Sequence, residues 1–334
     1  MSPLTLIITA LLAAATSAFL TPLVRRLASH VGMVDEVGER RMHELPKPRI
    51  GGIAVYMGFA VSLFAMLGYL IAKHQLRNFE NIHDIIGLMF GGTLIMVVGL
   101  WDDVMGMRPR NKLVAQIVVA GISLLYGFVI NYVENPFHHG QYIYFPLFVG
   151  FAVTIVWYVG MMNAINFIDG LDGLLPGLTT ISGLSLTVIA WMHGHPEIAL
   201  VLAALVGGSA GFLPYNFNPA KIILGDSGAL FIGYVFATVS IDGASKTAVG
   251  ISLLIPLVVL ALPILDTAAT IVRRTRAGKK ITEADRGHFH HQLIFRFGLN
   301  VRQAVILIYV VCFALGAVAL WLSGGIGSTH PAHV

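Results

Sequence analysis

Apolar runs long enough to cross a bilayer, broken by short polar and glycine-rich stretches, recur along the whole chain. Ten blocks are legible, at 3–24, 50–72, 83–101, 113–131, 146–163, 176–192, 198–215, 227–242, 248–272 and 302–323. A helix of about 20 residues rises about 30 Å, the thickness of a hydrocarbon core. Each block is expected to be an α-helix, because a lone segment in lipid can pair its backbone N–H and C=O groups only within itself. The pattern therefore predicts an all-α polytopic membrane protein, a bundle of about ten transmembrane helices. The first block lacks a basic n-region and a small-residue cleavage motif ahead of a polar mature domain, so it reads as a span and not as a signal peptide. No internal repeat, low-complexity tract or second soluble domain is visible, and 1–334 reads as one integral membrane domain.

Composition and charge add an orientation. The chain is 56% hydrophobic and only 11% charged, where a soluble domain carries about 25% charged residues. With ten spans, 18 of the 21 Lys and Arg fall in alternate loops (25–49, 101–112, 164–175, 216–226 and 273–302), and only Lys73, Arg77 and Lys246 lie opposite. The positive-inside rule makes the crowded side cytoplasmic and leaves both termini on the outer side. A net charge of +4 then reflects topology and anionic headgroups, with no nucleic-acid partner implied. The single cysteine, Cys312, excludes an intrachain disulfide and a multi-cysteine metal site.

Six carboxylates change the picture most: Asp102, Asp103, Asp169, Asp172, Asp226 and Asp266 all lie at or just inside the ends of apolar runs, on the side read as cytoplasmic. An ionised carboxylate near hydrocarbon costs several kcal/mol unless a partner offsets it. Their gathering at one level implies a shared compensating charge, for which a hydrated divalent cation with a phosphorylated substrate is the simplest candidate. Mg²⁺ fits, with Mn²⁺ as a substitute. Acids staggered through the depth of the membrane, often with repeat symmetry, would instead mark an ion-coupled transporter.

The loops supply the chemistry. In WDDVMGMRPRNK, Gly106 and Pro109 allow a turn that brings Lys112 back toward Asp102 and Asp103; a solvated helix-end cluster is the plainer reading. In NAINFIDGLDGLLPG, Asn163, Asn166, Asp169 and Asp172 recur every three residues among loosening glycines. On a helix, four such positions sweep about half the circumference and would line a pocket wall without meeting at one ion. In ILGDSGAL, Asp226 sits at a helix start, where an N-cap and a Mg²⁺ ligand are both reasonable roles. The basic loop 273–302 carries Arg286, His288, His290 and His291, donors suited to a diphosphate. A zinc site is the alternative, disfavoured because adjacent His290 and His291 are expected to point different ways and no fourth ligand is apparent. The first loop adds His43, Lys47 and Arg49 before Gly51 and Gly52, either as a binding group or as an ordinary positive-inside anchor. Asp266 follows Pro263 about two turns inside its span and reads as a hydrogen-bonded structural residue.

The ordered series DDxxG…K, NxxNxxDGxDGL, GDSG and HxHH strongly resembles the polyprenyl-phosphate N-acetylhexosamine-1-phosphate transferases, over Gly32 to about Arg302. HFHHQL at 288–293 looks like the N-acetylglucosamine branch, which starts cell-envelope polysaccharides such as teichoic acid and O-antigen. The phospho-N-acetylmuramoyl-pentapeptide branch carries a proline-led motif of three histidines that is missing here. Met107, Val37 and Ala229 depart from the usual residues without removing a chemical group.

The resemblance implies a Mg²⁺-dependent enzyme in the bacterial inner membrane, with a cytoplasmic-face active site and room for a homodimer. Undecaprenyl phosphate would attack the β-phosphorus of a UDP-N-acetylhexosamine and release UMP. Direct displacement is favoured over an aspartyl-phosphate intermediate. It implies Asp172 and Asp226 as metal ligands, and Asp102, Asp103, Asp169 and His291 as catalytic residues. His43, Arg49, Lys112, Asn163, Asn166, Arg286, His288 and His290 would bind substrate.

Overall fold

The computed structural model describes residues 1–31, 34–35, 47–74, 82–134, 138, 141–246, 254–276 and 289–327. His43, Arg286 and His288 lie outside the described residues, as does the start of the block at 248–272.

A helix lies in each apolar block. In chain order come α1 (Pro3–Val31), β1 (Val34–Asp35), β2 (Lys47–Pro48), α2 (Gly52–Ala72), α3 (Ile82–Met105), α4 (Pro109–Leu125), β3 (Tyr132–Glu134) and β4 (Tyr142–Tyr144). They are followed by α5 (Leu147–Ile168), α6 (Leu174–Met192), α7 (Pro196–Asn216), α8 (Gly225–Lys246), α9 (Leu254–Val259), α10 (Ala261–Arg276), α11 (Phe289–Phe295) and α12 (Val301–Gly327). The strands form two short antiparallel pairs, Val34 opposite Pro48 and Tyr132 opposite Tyr144.

Seven helices among the described residues, α1, α2, α3, α5, α6, α7 and α12, are long and apolar enough to cross a bilayer. The chain is a multi-pass membrane protein. The other three blocks depart from the expected ten for local reasons. α4 is only 17 residues long and starts with Arg110 and Lys112. α8 carries Asp226 near one end and Asp242 near the other. The ninth block is split into α9 and α10 at Leu260, and Pro263 occupies the first turn of α10, where a missing N–H leaves no bond unmade.

α8 is the axis of the bundle. It packs against α3, α5 and α2, and Phe231, Tyr234 and Phe236 are fully buried. Its polar links in mid-bundle include hydroxyls and the Trp157 indole N–H, which donates to the Ala237 carbonyl at 3.3 Å. Tyr234 stacks on Tyr158 of α5 with centroids 5.3 Å apart. The Tyr234 hydroxyl bonds Ser123 of α4 at 2.9 Å, and that of Tyr158 bonds Thr238 at 3.0 Å.

Toward the start of α8 the helices close in. A Cβ on Gly99 of α3 would stand 2.5 Å from the Ser227 Cα, so only glycine lets α3 reach α8 there. The segment before α2 runs alongside the turn before α8: Gly51 and Gly52 N–H donate to the carbonyls of Ile223 and Leu224, and Ile223 N–H donates to that of Pro48. These contacts bring the ends of α3, α5 and α7 and the starts of α4, α6 and α8 to one end of the bundle. At the opposite end Asp84, Glu197 and Asp242 line a cavity of about 10 Å³, three carboxylates that the motif reading passed over.

Candidate active site

The site is built around Asp226, the second residue of α8. Gly225 before it has φ +80°, and a Cβ there would fall 2.1 Å from the Arg49 carbonyl oxygen and 2.5 Å from Asp103 Oδ2. Glycine is required on both counts. Arg49 Nη2 lies 3.3 Å from Asp226 Oδ2, and Lys112 Nζ lies 3.1 Å from the same oxygen. Asn166 Nδ2 donates to Asp226 Oδ1 at 2.6 Å. Lys112 also lies 3.0 Å from Asp102 Oδ2. The turn expected from Gly106 and Pro109 is present: Asp102 Oδ1 accepts the Met107 N–H at 2.6 Å, and Gly106 takes φ +69°.

Adjacent Asp102 and Asp103 are in different positions. Asp103 has a side chain 0% exposed, and it accepts the N–H groups of Asp226 and Ser227 at 2.7 and 2.9 Å while Arg49 Nε stands 3.3 Å away. It caps the first turn of α8 from a neighbouring helix, satisfying donors that have no partner within their own helix. Asp102 faces Lys112 and is 10% exposed.

A second carboxylate group centres on Asp172. Its Oδ2 receives Lys47 Nζ at 3.0 Å, the Ala220 N–H at 2.9 Å and Asn218 Nδ2 at 3.2 Å. Asp172 and Asp226 therefore have different sets of partners. The spacing of three does not run along a helix: α5 ends at Ile168 and α6 begins at Leu174, with Gly173 at φ +86° between them. Asn163 and Asn166 are helical, whereas Asp169 and Asp172 belong to the loop. Asn163 is turned aside, donating to Gln116 Oε1 and the Val159 carbonyl at 2.8 Å each. Asp169 is half-buried, and its desolvation, followed by repulsion from Asp226, raises its pKa to about 8 against the pull of Arg49.

The histidines arrive on α11. A Cβ on Gly170 would lie 2.2 Å from His290 Nε2, so the imidazole rests on the glycine loop between Asp169 and Asp172. The His290 and His291 rings do not diverge as expected; their centroids are 4.3 Å apart. No group of three His, Cys, Asp or Glu side chains arranged to hold a metal occurs among the described residues. Asp266, half-hidden in the sequence of its span, accepts the Phe289 N–H at 2.8 Å.

Some partners were invisible to motif reading. Asn218, Gln116 and the amide of Ala220 sit in no recognisable pattern, and Lys47 had no stated target. Lys47 and Asp172 are 125 residues apart, and no spacing rule reaches that far. Beside the site, an apolar cavity of about 310 Å³ runs between α5 and α10, lined by Trp157, Ala164, Ile264 and Ile271 among others. Ala164 lies between Asn163 and Asn166 in sequence, so the cavity reaches the turn of α5 that carries the polar residues.

Residues 85–244 match the model of glycosyl transferase family 4. The chain is 34% identical, over 92% of its length and 84% of the other's, to a probable undecaprenyl-phosphate N-acetylglucosaminyl 1-phosphate transferase of Bacillus subtilis strain 168. It is 36% identical to a decaprenyl-phosphate N-acetylglucosaminephosphotransferase of Mycolicibacterium smegmatis, over 90% of this chain and 78% of that one. Identity falls to 28%, over 91% and 93%, with a phospho-N-acetylmuramoyl-pentapeptide-transferase of Staphylococcus saprophyticus. Likeness of this degree along nearly the whole length carries more than the four motifs alone: the chain belongs to the polyprenyl-phosphate N-acetylhexosamine-1-phosphate transferases, a family of membrane phosphosugar transferases.

Proposed function

We propose that this enzyme moves N-acetylglucosamine 1-phosphate from UDP-N-acetylglucosamine to undecaprenyl phosphate at the cytoplasmic face of a bacterial cell membrane. An oxygen of the lipid phosphate forms a bond to the β-phosphorus, the bond from that phosphorus to the bridging oxygen breaks, and UMP leaves. The observation that carries this reading is the convergence of Arg49, Lys112 and Asn166 on Asp226 at one end of the bundle. Phosphoryl transfer leaves a protein little covalent chemistry to do beyond placing reactants and neutralising charge. The apolar cavity between α5 and α10 is suited to a prenyl chain, and its lining reaches Ala164, two residues before Asn166. The choice of sugar rests on the HFHHQL series at 288–293, which resembles the N-acetylglucosamine branch.

The donor set suits Mg²⁺. The oxygens offered are hard carboxylates, and Mg²⁺ needs only one or two of them beside waters and substrate phosphate. Desolvation first, then repulsion from Asp226, raises the Asp169 pKa to about 8, and a cation bound nearby would offset both. Asp226 is the best-supported ligand, with Asp169 beside it. Bound Mg²⁺ would neutralise charge on the diphosphate. Arg49 and Lys112 hold phosphate oxygens and Asn166 orients the donor. Asp102, the more exposed of its pair, accepts any proton left on the lipid phosphate. That help is small, because a phosphomonoester has its second pKa at about 6 and is mostly dianionic at pH 7.

Purified enzyme with undecaprenyl phosphate, Mg²⁺ and a panel of UDP-sugars tests the reading. UDP-N-acetylglucosamine should release UMP fastest. Faster turnover of UDP-N-acetylmuramoyl-pentapeptide would assign the enzyme to peptidoglycan synthesis, and no UMP release with any donor would refute the transferase reading.

A further inference from the structure

Asp266 has no part in the transfer just described, yet it is a buried carboxylate, 9% exposed, on a helix that lines the apolar cavity. Its Oδ1 accepts the N–H of Phe289, 23 residues further along the chain, at 2.8 Å. Phe289 opens α11, and the first N–H groups of a helix have no partner inside it. A carboxylate is the favoured acceptor there, because helix starts carry partial positive charge. Caps usually come from the residue just before the helix. This one comes from α10.

The next two residues after Phe289 are His290 and His291. His290 is 1% exposed and packs on Gly170, in the loop that carries Asp169 and Asp172. A slip of α11 by one residue would turn each side chain by about 100° and take both imidazoles out of place. With seven residues, α11 has little power to set its own register.

We infer that Asp266 is a positioning residue: by capping α11 from α10 it fixes the register that holds His290 against the glycine loop and His291 beside it. It touches no substrate and acts through the helix. This rests on the transferase reading only for the role of the imidazoles, since the cap itself is independent of the reaction.

The test compares Asp266→Ala, Asp266→Asn and Phe289→Pro in the full-length protein in nanodiscs. Each is followed by hydrogen exchange over 289–295 and by UMP release. Asn keeps an acceptor oxygen without charge. Phe289→Pro removes the donor from the other side, at a helix position that tolerates proline. Asp266→Ala should speed exchange across 289–295 and lower kcat about tenfold or more, the scale of losing a bond to a charged acceptor. The KM for the lipid should stay within about twofold, since the cap touches no substrate. Phe289→Pro should do the same to kcat, and Asp266→Asn should keep most of both protection and kcat. Unchanged exchange and kcat in Asp266→Ala would overturn the inference, as would Asp266→Asn failing as badly as Ala. If Asp266→Ala does not fold, the Phe289→Pro result decides alone, with unchanged kcat counting against the cap. An inactive wild type with α11 protection lost in Asp266→Ala would refute the transferase reading and leave the cap standing.

Discussion

Asp226 and Asp172 each pair with a lysine, at 3.1 and 3.0 Å, but they are held by different kinds of partner. Around Asp226 the partners are side-chain tips, those of Arg49, Lys112 and Asn166, reaching in from three elements. Around Asp172 a backbone amide and a short amide side chain join the lysine on one oxygen. Side-chain tips can swing to a substrate phosphate and leave a carboxylate free for a cation. A backbone N–H cannot move without moving the chain. We propose that Asp226 exchanges partners during the reaction, whereas the contacts of Asp172 tie the loop at 218–220 to the glycine loop. The family resemblance implies both as metal ligands and draws no distinction between them.

Substitutions can break that contrast. Asp226→Asn keeps the shape and removes the charge, and it should lower turnover by at least about 100-fold, the scale of losing one main electrostatic group. It should also weaken the Mg²⁺ dependence. A variant with wild-type rate and Mg²⁺ response would remove Asp226 from the reaction.

Asp172→Asn should act first on stability, by about 1–3 kcal/mol, because it weakens charge-assisted bonds to three donors. Thermal unfolding measures this, and Mn²⁺ titration followed by electron paramagnetic resonance should show metal affinity close to wild type. A loss of affinity as large as that of Asp226→Asn would make the two carboxylates equivalent after all.

Asp169 gives the smallest effect and concerns protons. Its folded pKa of about 8 lies above the ordinary 3.8, so the metal-free protein binds this proton more tightly than the unfolded chain does. Its contribution to stability is therefore present at low pH and falls as pH rises from about 4 to about 8. A divalent cation bound nearby would oppose both the desolvation and the repulsion from Asp226 that hold the proton. At pH 7, Mg²⁺ binding should release up to about one proton, seen as buffer-dependent heats in calorimetry, and Asp169→Asn should abolish the release. Heats independent of buffer in the wild type would show that the cation binds away from Asp169.

Much of the architecture could be read from the chain because the bilayer imposes one solution on an apolar run of sufficient length. Helix ends were harder. α5 stops at Ile168 because glycines follow, and this moved Asp169 and Asp172 from a helix face to a loop. Five residues of the motif series, Asp102, Asp103, Lys112, Asn166 and Asp226, do meet in space, since each is tied to a helix end and the ends meet. What the motifs could not supply was the division of labour between neighbours. Asp102 and Asp103 look alike in sequence, and only the approach of α3 to α8 at Gly99 makes one a cap and leaves the other facing Lys112. Asp84, Glu197 and Asp242 went unnoticed because each stands alone in its own segment.

The central claim is that the reaction occurs at the β-phosphorus and not at the sugar carbon. The nucleotide product distinguishes these directly. Enzyme supplied with UDP-N-acetylglucosamine, undecaprenyl phosphate and Mg²⁺, and followed by chromatography of the nucleotides, should yield UMP in step with a lipid-linked sugar diphosphate. Release of UDP would place the bond breakage at the anomeric carbon and contradict the account.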